Sequence, residues 1–187
     1  MMGKTQESTQ LYDPRTGEEA LRFTSLGCEE EAFEPARTNY FAVYRIETGA
    51  GVAAVDDGCH RFGPNSLLFV VPYQYLRFAL DQPVTGEVIE FHANFLCVET
   101  FHAEVGCSGA LFNDPYGVPV LALDGRVLAE VADLFARVRR ELAERGLAHT
   151  EAALAYLKVL LILATRSKTA GVATCETAAA YRHPVLG

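Results

Sequence analysis

No run of lysine or arginine occurs anywhere in these 187 residues, and the formal charge is −8. A nucleic-acid surface needs clustered basic side chains to displace phosphate counterions, so these residues alone are poorly suited to touching DNA. Long apolar runs are missing too. The longest candidate, residues 154–164, is interrupted by Lys158 and falls short of the roughly 18–20 residues of a membrane span. The start, Met1 to Gln10, is polar and has no apolar signal core. Cysteine is sparse and scattered: Cys28, Cys59, Cys97, Cys107 and Cys175 are odd in number and form no CxxC pair. A disulfide framework uses an even, closely spaced set. Free thiols in a reducing cytosol are the simpler expectation, for a cytoplasmic protein with no membrane partner. Tryptophan is absent.

What is present is ordinary globular material, 50% hydrophobic and 21% charged, enough for one domain with a short appendage. Residues 1–20 are polar, with turn signals at Asp13-Pro14 and Thr16-Gly17, and read as a frayed, flexible arm. From residue 21 to 123, short apolar runs alternate with Gly, Pro, Asn and Asp, the spacing of an all-β sandwich or barrel. A strand over residues 39–48 is expected to stop at Gly49-Ala50-Gly51. Val52 to Val55 follows, then a hairpin turn at Asp56-Asp57-Gly58, where Asp and Gly supply positive φ. Cys59 to Phe62, Leu67 to Val71, Tyr75 to Leu80 and Val88 to Leu96 are further expected strands. The breaks fall at Gly63-Pro64-Asn65-Ser66, Pro72, Asp81-Gln82-Pro83 and Thr85-Gly86.

After Leu123 the apolar period changes from 2 to about 3.6. Asp124 is placed to cap a helix, and Val127, Val131, Leu134, Val138 and Leu142 mark one face. Gly146 is expected to end it. Thr150 begins a second helix, with Glu151 near its positive end. Leu154, Leu157, Leu160, Leu161 and Ile162 make that helix apolar over more than half its girth, so it must be buried. Residues 124–167 thus read as a two-helix unit, and 168–187 as a linker.

The order of these features resembles the N-terminal halves of AraC-type transcription regulators, over residues 39–168. Four stretches carry the likeness. They are the strand closing on Gly49-Ala50-Gly51 with the Val55-Asp56-Asp57-Gly58 hairpin, the segment from Phe62 to Pro72, the aromatic strand end from Glu90 to Leu96, and Tyr156 to Ile162. The segment Tyr181-Arg182-His183-Pro184 is similar to the step before that family's DNA-binding half. The resemblance implies a mainly β fold, a cupin-like double-stranded β-helix (a jelly-roll barrel) followed by an antiparallel α-helical pair. It implies an effector-sensing and dimerisation domain of a homodimeric regulator that touches DNA only through a C-terminal domain absent from this chain. A stand-alone cupin enzyme acting on a small metabolite is the alternative, and a stand-alone sensor a third reading.

Catalytic constellations are hard to find. Val55-Asp56-Asp57 stands where a metal-binding cupin would carry His-x-His, and Leu76 or Arg77 where its later histidine would fall. A second set, His60, His92 and His102 with Cys59, Cys97 and Cys107, lacks the tight spacing of structural zinc. Ser66 sits in no nucleophile elbow, and Gly49-Ala50-Gly51 is no phosphate loop. We therefore expect no catalytic residue, metal or cofactor, but a barrel that holds one small-molecule effector. Strand parity puts Tyr40, Ala42, Tyr44, Ile46 and Thr48 inward and sends the Arg45 and Glu47 face to solvent. Tyr44, Thr48, Phe78, Glu90 and His92 are the candidate ligand-binding residues. Arg77 is either a carboxylate clamp or a solvated surface residue. Leu128, Phe135 and Leu142, seven apart, widen the apolar arc of the first helix and are the candidate dimer interface.

Overall fold

A computed structural model describes residues 8–12, 19–92, 111–112 and 118–180, with residues 8, 12 and 172–180 described by backbone alone. Cys97, His102, Cys107, the strand end 93–96, the turns at 13–17 and the segment 181–187 lie outside the described residues. Eight strands form one antiparallel sheet: β1 (Ser8–Tyr12), β2 (Glu19–Cys28), β3 (Ala32–Phe33), β4 (Phe41–Val55), β5 (Gly58–Phe62), β6 (Ser66–Val70), β7 (Leu76–Phe91) and β8 (Val120–Ala122). Two helices follow, α1 (Gly125–Glu144) and α2 (His149–Ala180). The sheet order is β1-β2-β7-β4-β6-β8, with β3 added to β7 and β5 to β4. The fold is a cupin-like jelly-roll barrel followed by a helical pair. Among the described residues no helix is long and apolar enough to cross a membrane.

The spine is the pairing of β4 with β7, from Phe41 opposite Phe91 to Val55 opposite Leu76. This corrects the expectation of two strands on either side of Gly49-Ala50-Gly51, and likewise of two on either side of residues 81–86. Instead of ending the strand, the glycines bend it. The β4–β7 register shifts three times between Ile46 and Gly51. Gly49 takes φ +91°, and a Cβ there would strike the Pro83 carbonyl. The net shift is odd, so the inward parity of β4 switches from Ala42, Tyr44 and Ile46 to Ala53 and Val55. Gly86 is needed for a second close approach, because a Cβ would meet the Arg45 carbonyl.

The N-terminal arm is also corrected. β1 and the start of β2 pair with each other, and Leu11, Ala20 and Leu21 are buried. Period-2 alternation explains it: Leu21 and Phe23 face the helices while Arg22 and Thr24 face the other way. Asp124 has the extended backbone of an N-cap but makes no side-chain cap bond. Arg145, in the left-handed conformation at φ 49°, ends α1 in place of Gly146. The expected linker from residue 168 is helical to Ala180. Alanine is the strongest helix former, and the Thr165 and Thr169 hydroxyls donate to carbonyls one turn back within the helix.

Two apolar clusters lie on opposite sides of the strands. Inside the barrel, Leu26, Tyr44, Ile46, Phe62, Leu68 and Phe78 pack together. Outside it, Phe23, Val43, Phe69, Ile89 and Phe91 meet Val131, Phe135, Val138 and Leu142 of α1 and Leu157, Leu160 and Leu161 of α2. The face expected to reach solvent is therefore covered by the helical pair. The apolar girth of α2 is used for this contact.

Candidate functional site

The ladders align side chains across four strands on the inner face. Gln10 stands opposite Arg22, Arg22 opposite Glu90, and Glu90 opposite Ala42. One step along, Thr24 faces Val88 and Val88 faces Tyr44. Residues 34–38 cross over these rows, and the half-open cavity there has a volume of about 510 Å³. Gln10, Arg22, Thr24, Glu34, Thr38, Tyr44 and Glu90 supply its polar lining, and Leu26, Phe33, Pro35, Ala36 and Val88 its apolar lining. A small side lobe between residues 35–38 and 70–76 shares Tyr44, Thr38 and Glu90. The volume lies within the range of about 300–1,000 Å³ of small-molecule sites, and the mixed lining is typical of them.

Arg22 is the hub of the polar row. Its Nε and Nη2 donate to the two oxygens of Glu19 at 2.7 and 2.9 Å, and Nη1 to Glu90 at 3.3 Å. The guanidinium also lies 5.6 Å from the Tyr40 ring centroid, while the Tyr40 hydroxyl donates to the Glu19 carbonyl. The hydrogen bond with Glu19 raises the Arg22 pKa, so it is permanently charged. Burial pushes the Glu90 carboxyl up, and Arg22 and the Thr38 hydroxyl only partly counter this. Burial also pushes the Tyr44 phenol up. Tyr44 is 7% exposed, and its hydroxyl has no hydrogen-bond partner among the described residues.

Of the five expected ligand residues, Tyr44 and Glu90 meet at the cavity. Phe78 backs it, fully buried and stacked on Phe33 at 4.5 Å. Thr48 lies within the bend of β4, exposed, with its hydroxyl 2.7 Å from that of Thr85. His92 is edge-on to Tyr40 at 5.8 Å and does not line the cavity. Arg77 is exposed. Arg22, Thr24 and Gln10 were not singled out from the sequence. The polar members of the Leu21-Arg22-Phe23-Thr24 alternation were the available signal.

The expected interface residues Phe135 and Leu142 are a correction. They are 0% and 1% exposed, and Phe135 packs edge-on against Phe23. Both are spent on the barrel–helix core, so a partner could not reach them. Leu128 is partly buried at the edge of the same cluster. The Arg45 reading is corrected as well. Arg45 lies beneath α1, 5.7 Å from the Phe135 ring centroid, and donates to Glu87 at 2.6 Å. Arg139 of α1 donates to the other Glu87 oxygen at 2.9 Å.

Among the described residues, no three His, Cys, Asp or Glu side chains gather where a metal could sit. The inner face carries Ala53, Val55, Leu68, Val70, Leu76 and Phe78, which are not metal donors. The residues present thus do not fit the metal centre of cupin enzymes.

A barrel of this kind, with a cavity at its mouth and a helical pair on its outer wall, defines the class: a cupin-like domain. No protein-family model matches the sequence, and no curated protein matches it in sequence. Solved structures do. The AraC-like transcriptional activator CuxR is similar with a TM-score of 0.52 at 12% identity, over 80% of this chain and 52% of that one. The chain thus spans about half the length of that regulator, and the likeness is one of fold. A cupin protein from Bacteroides fragilis (TM-score 0.39, 16% identity, 55% of this chain and 88% of that one) is more distant. So is an oxalate decarboxylase from Bacillus subtilis (TM-score 0.39, 12% identity, 49% and 26%). Neither of these two bears on function.

Proposed function

We propose that these residues form the effector-sensing and dimerisation domain of a cytoplasmic AraC-type transcription regulator, holding a small molecule in a metal-free barrel. One observation carries the reading. A cavity of about 510 Å³, lined by Arg22, Tyr44 and Glu90, opens in a barrel whose fold, helical pair included, is similar to CuxR over 80% of the chain. The cavity has polar groups to orient a ligand, and among the described residues it holds no nucleophile–base pair or metal set to transform one. The −8 charge supports a reading in which these residues sense an effector rather than touch DNA.

Dimerisation belongs to the same proposal, but through the outer faces of the helices. Leu128 is partly open there, and Val159 is 44% exposed. Sedimentation should show a dimer that Val159→Glu weakens, whereas Phe135→Ala should lower the stability of the fold itself. The sensing reading is tested by thermal denaturation against a metabolite collection. A true effector at about one hundred times its Kd adds roughly 2.7 kcal/mol. Tyr44→Phe and Glu90→Gln should each reduce that gain, and the reading fails if both leave the effector response of a reporter unchanged.

A further inference from the structure

The cavity carries a charge imbalance that specifies its ligand more closely, granted the sensing reading above. Three carboxylates, Glu19, Glu34 and Glu90, stand at or beside it against two guanidinium groups. Arg22 directs its fork at Glu19 and gives Glu90 only a 3.3 Å contact. Arg37 sits at the rim of the side lobe, its guanidinium 5.1 Å from the Tyr75 ring, and the Tyr75 hydroxyl donates to Glu34. Arg22, which lines the main cavity, is already engaged by two carboxylates, whereas Arg37 is exposed at the side lobe and does not line the main cavity. Acceptors, by contrast, are in surplus. A carboxylate offers about four lone-pair sites, and Glu90 is met only by Arg22 and the Thr38 hydroxyl. Tyr44 is 7% exposed and lines the cavity, and its hydroxyl makes no hydrogen bond among the described residues. Its oxygen lone pairs can accept from a ligand donor. Across from these groups the wall is apolar, formed by Leu26, Phe33, Pro35 and Val88.

We infer that the cavity takes a protonated amine with a compact apolar body, the ammonium held by the Glu90 carboxylate and the Tyr44 hydroxyl and the body lying against Phe33 and Leu26. Charge-assisted N–H to carboxylate bonds are about twice as strong as neutral ones, and a desolvated ammonium near an aromatic ring gains further. In the main cavity an anion would face Glu90 and Glu34, with Arg22 already held by Glu19.

The test is calorimetric titration of the chain with three probes of one shape: phenethylamine, phenethyl alcohol and phenylacetate. The amine should bind at least about tenfold more tightly than the alcohol, about 1.4 kcal/mol, and phenylacetate more weakly than either. Glu90→Gln should remove most of the amine-over-alcohol ratio, and Tyr44→Phe should weaken the amine severalfold. Circular dichroism and melting establish that both variants fold. If a variant fails to fold, Val88→Trp, which fills the cavity, serves in its place and should abolish amine binding. No amine binding at millimolar concentration overturns the inference. So does an unchanged ratio in folded Glu90→Gln. Binding of phenylacetate or the alcohol in preference to the amine, displaced by Val88→Trp, overturns the amine while the sensing reading stands. Silence from all three probes and from a wider metabolite collection sinks both.

Discussion

Tyr44 pairs across to Val88, and the next residues along, Arg45 and Glu87, pair as well. The first pair looks into the cavity and the second lies under α1. The same two strands thus carry two contrasting surfaces one residue apart. On the helix side the apolar groups are matched and Glu87 receives both Arg45 and Arg139: Val43, Ile89 and Phe91 meet Phe135 and Val138, and the Arg45 Nε alone is left unpaired among the buried side-chain atoms of the described residues. On the cavity side a phenol has no partner and a carboxylate is half met. A stable barrel does not require that second surface to be underfilled. Its open groups are the ones a ligand would complete, while the helix side holds the domain together.

The sharpest way to break this contrast is on the helix side. Phe135→Ala removes a fully buried ring from between the sheet and α1. It should cost about 3–5 kcal/mol, read as a lower urea midpoint at unchanged slope, independent of protein concentration. Cavity-side binding would be lost only through unfolding.

Next in size is the ion cluster. Arg45 and Glu87 have side chains only 13% and 9% exposed, and the Arg45 Nε has no partner. Glu87→Leu leaves Arg45 with only Glu47, 2.6 Å away and 42% exposed, and should cost about 1.5–3 kcal/mol, the loss of a charged hydrogen bond. The double change Arg45→Met with Glu87→Leu should recover most of that loss, since Arg139 is 55% exposed and can be solvated. Urea denaturation of the three variants measures the coupling. A double variant as unstable as Glu87→Leu alone would mean that the cluster stabilises beyond mutual neutralisation.

The two surfaces were not equally legible in the sequence. Alternation along residues 39–48 located Tyr44, and that along 86–92 located Glu90, because a strand has period 2 whatever it pairs with. Which neighbour covers the outer face is a matter of tertiary packing. Arg45 and Glu47 therefore read as a solvated pair, although Arg45 is roofed by α1. Thr48 was assigned by the same parity and missed, because the first of the register shifts falls between Ile46 and Thr48 and parity fails across it. Phe135 and Leu142 show the limit for helices. A seven-residue repeat on a wide apolar arc has the same form for a subunit interface as for a core. Arg22 was hidden by a polar start that pairs only because β1 and β2 find each other.

A smaller effect should appear on the cavity side as pH dependence. Burial raises the folded-state pKa of Glu90 above the ordinary 4.5. Between that value and the folded one, the native state holds a proton that the unfolded chain has released. Stability from this group is therefore complete below the ordinary value and is lost as pH rises through the raised one. Glu90→Gln, which carries no proton to lose, should flatten that part of the stability curve, with Arg22 still held by Glu19. Chemical denaturation at several pH values checks the slope. A wild-type curve as flat as the variant's would show that Arg22 already neutralises Glu90.

The smallest effect should come from Thr48. Its hydroxyl contact with Thr85 is exposed, within the bend that turns β4 away from the cavity. Thr48→Val keeps the β-branched shape and removes one solvated hydrogen bond, so stability should move by no more than about 0.5 kcal/mol. Amine binding should not move at all. If Thr48→Val weakens binding as Tyr44→Phe does, the ligand must reach past the bend, and the boundary between the open and filled halves of the barrel lies further along β4 than Tyr44 and Glu90 indicate.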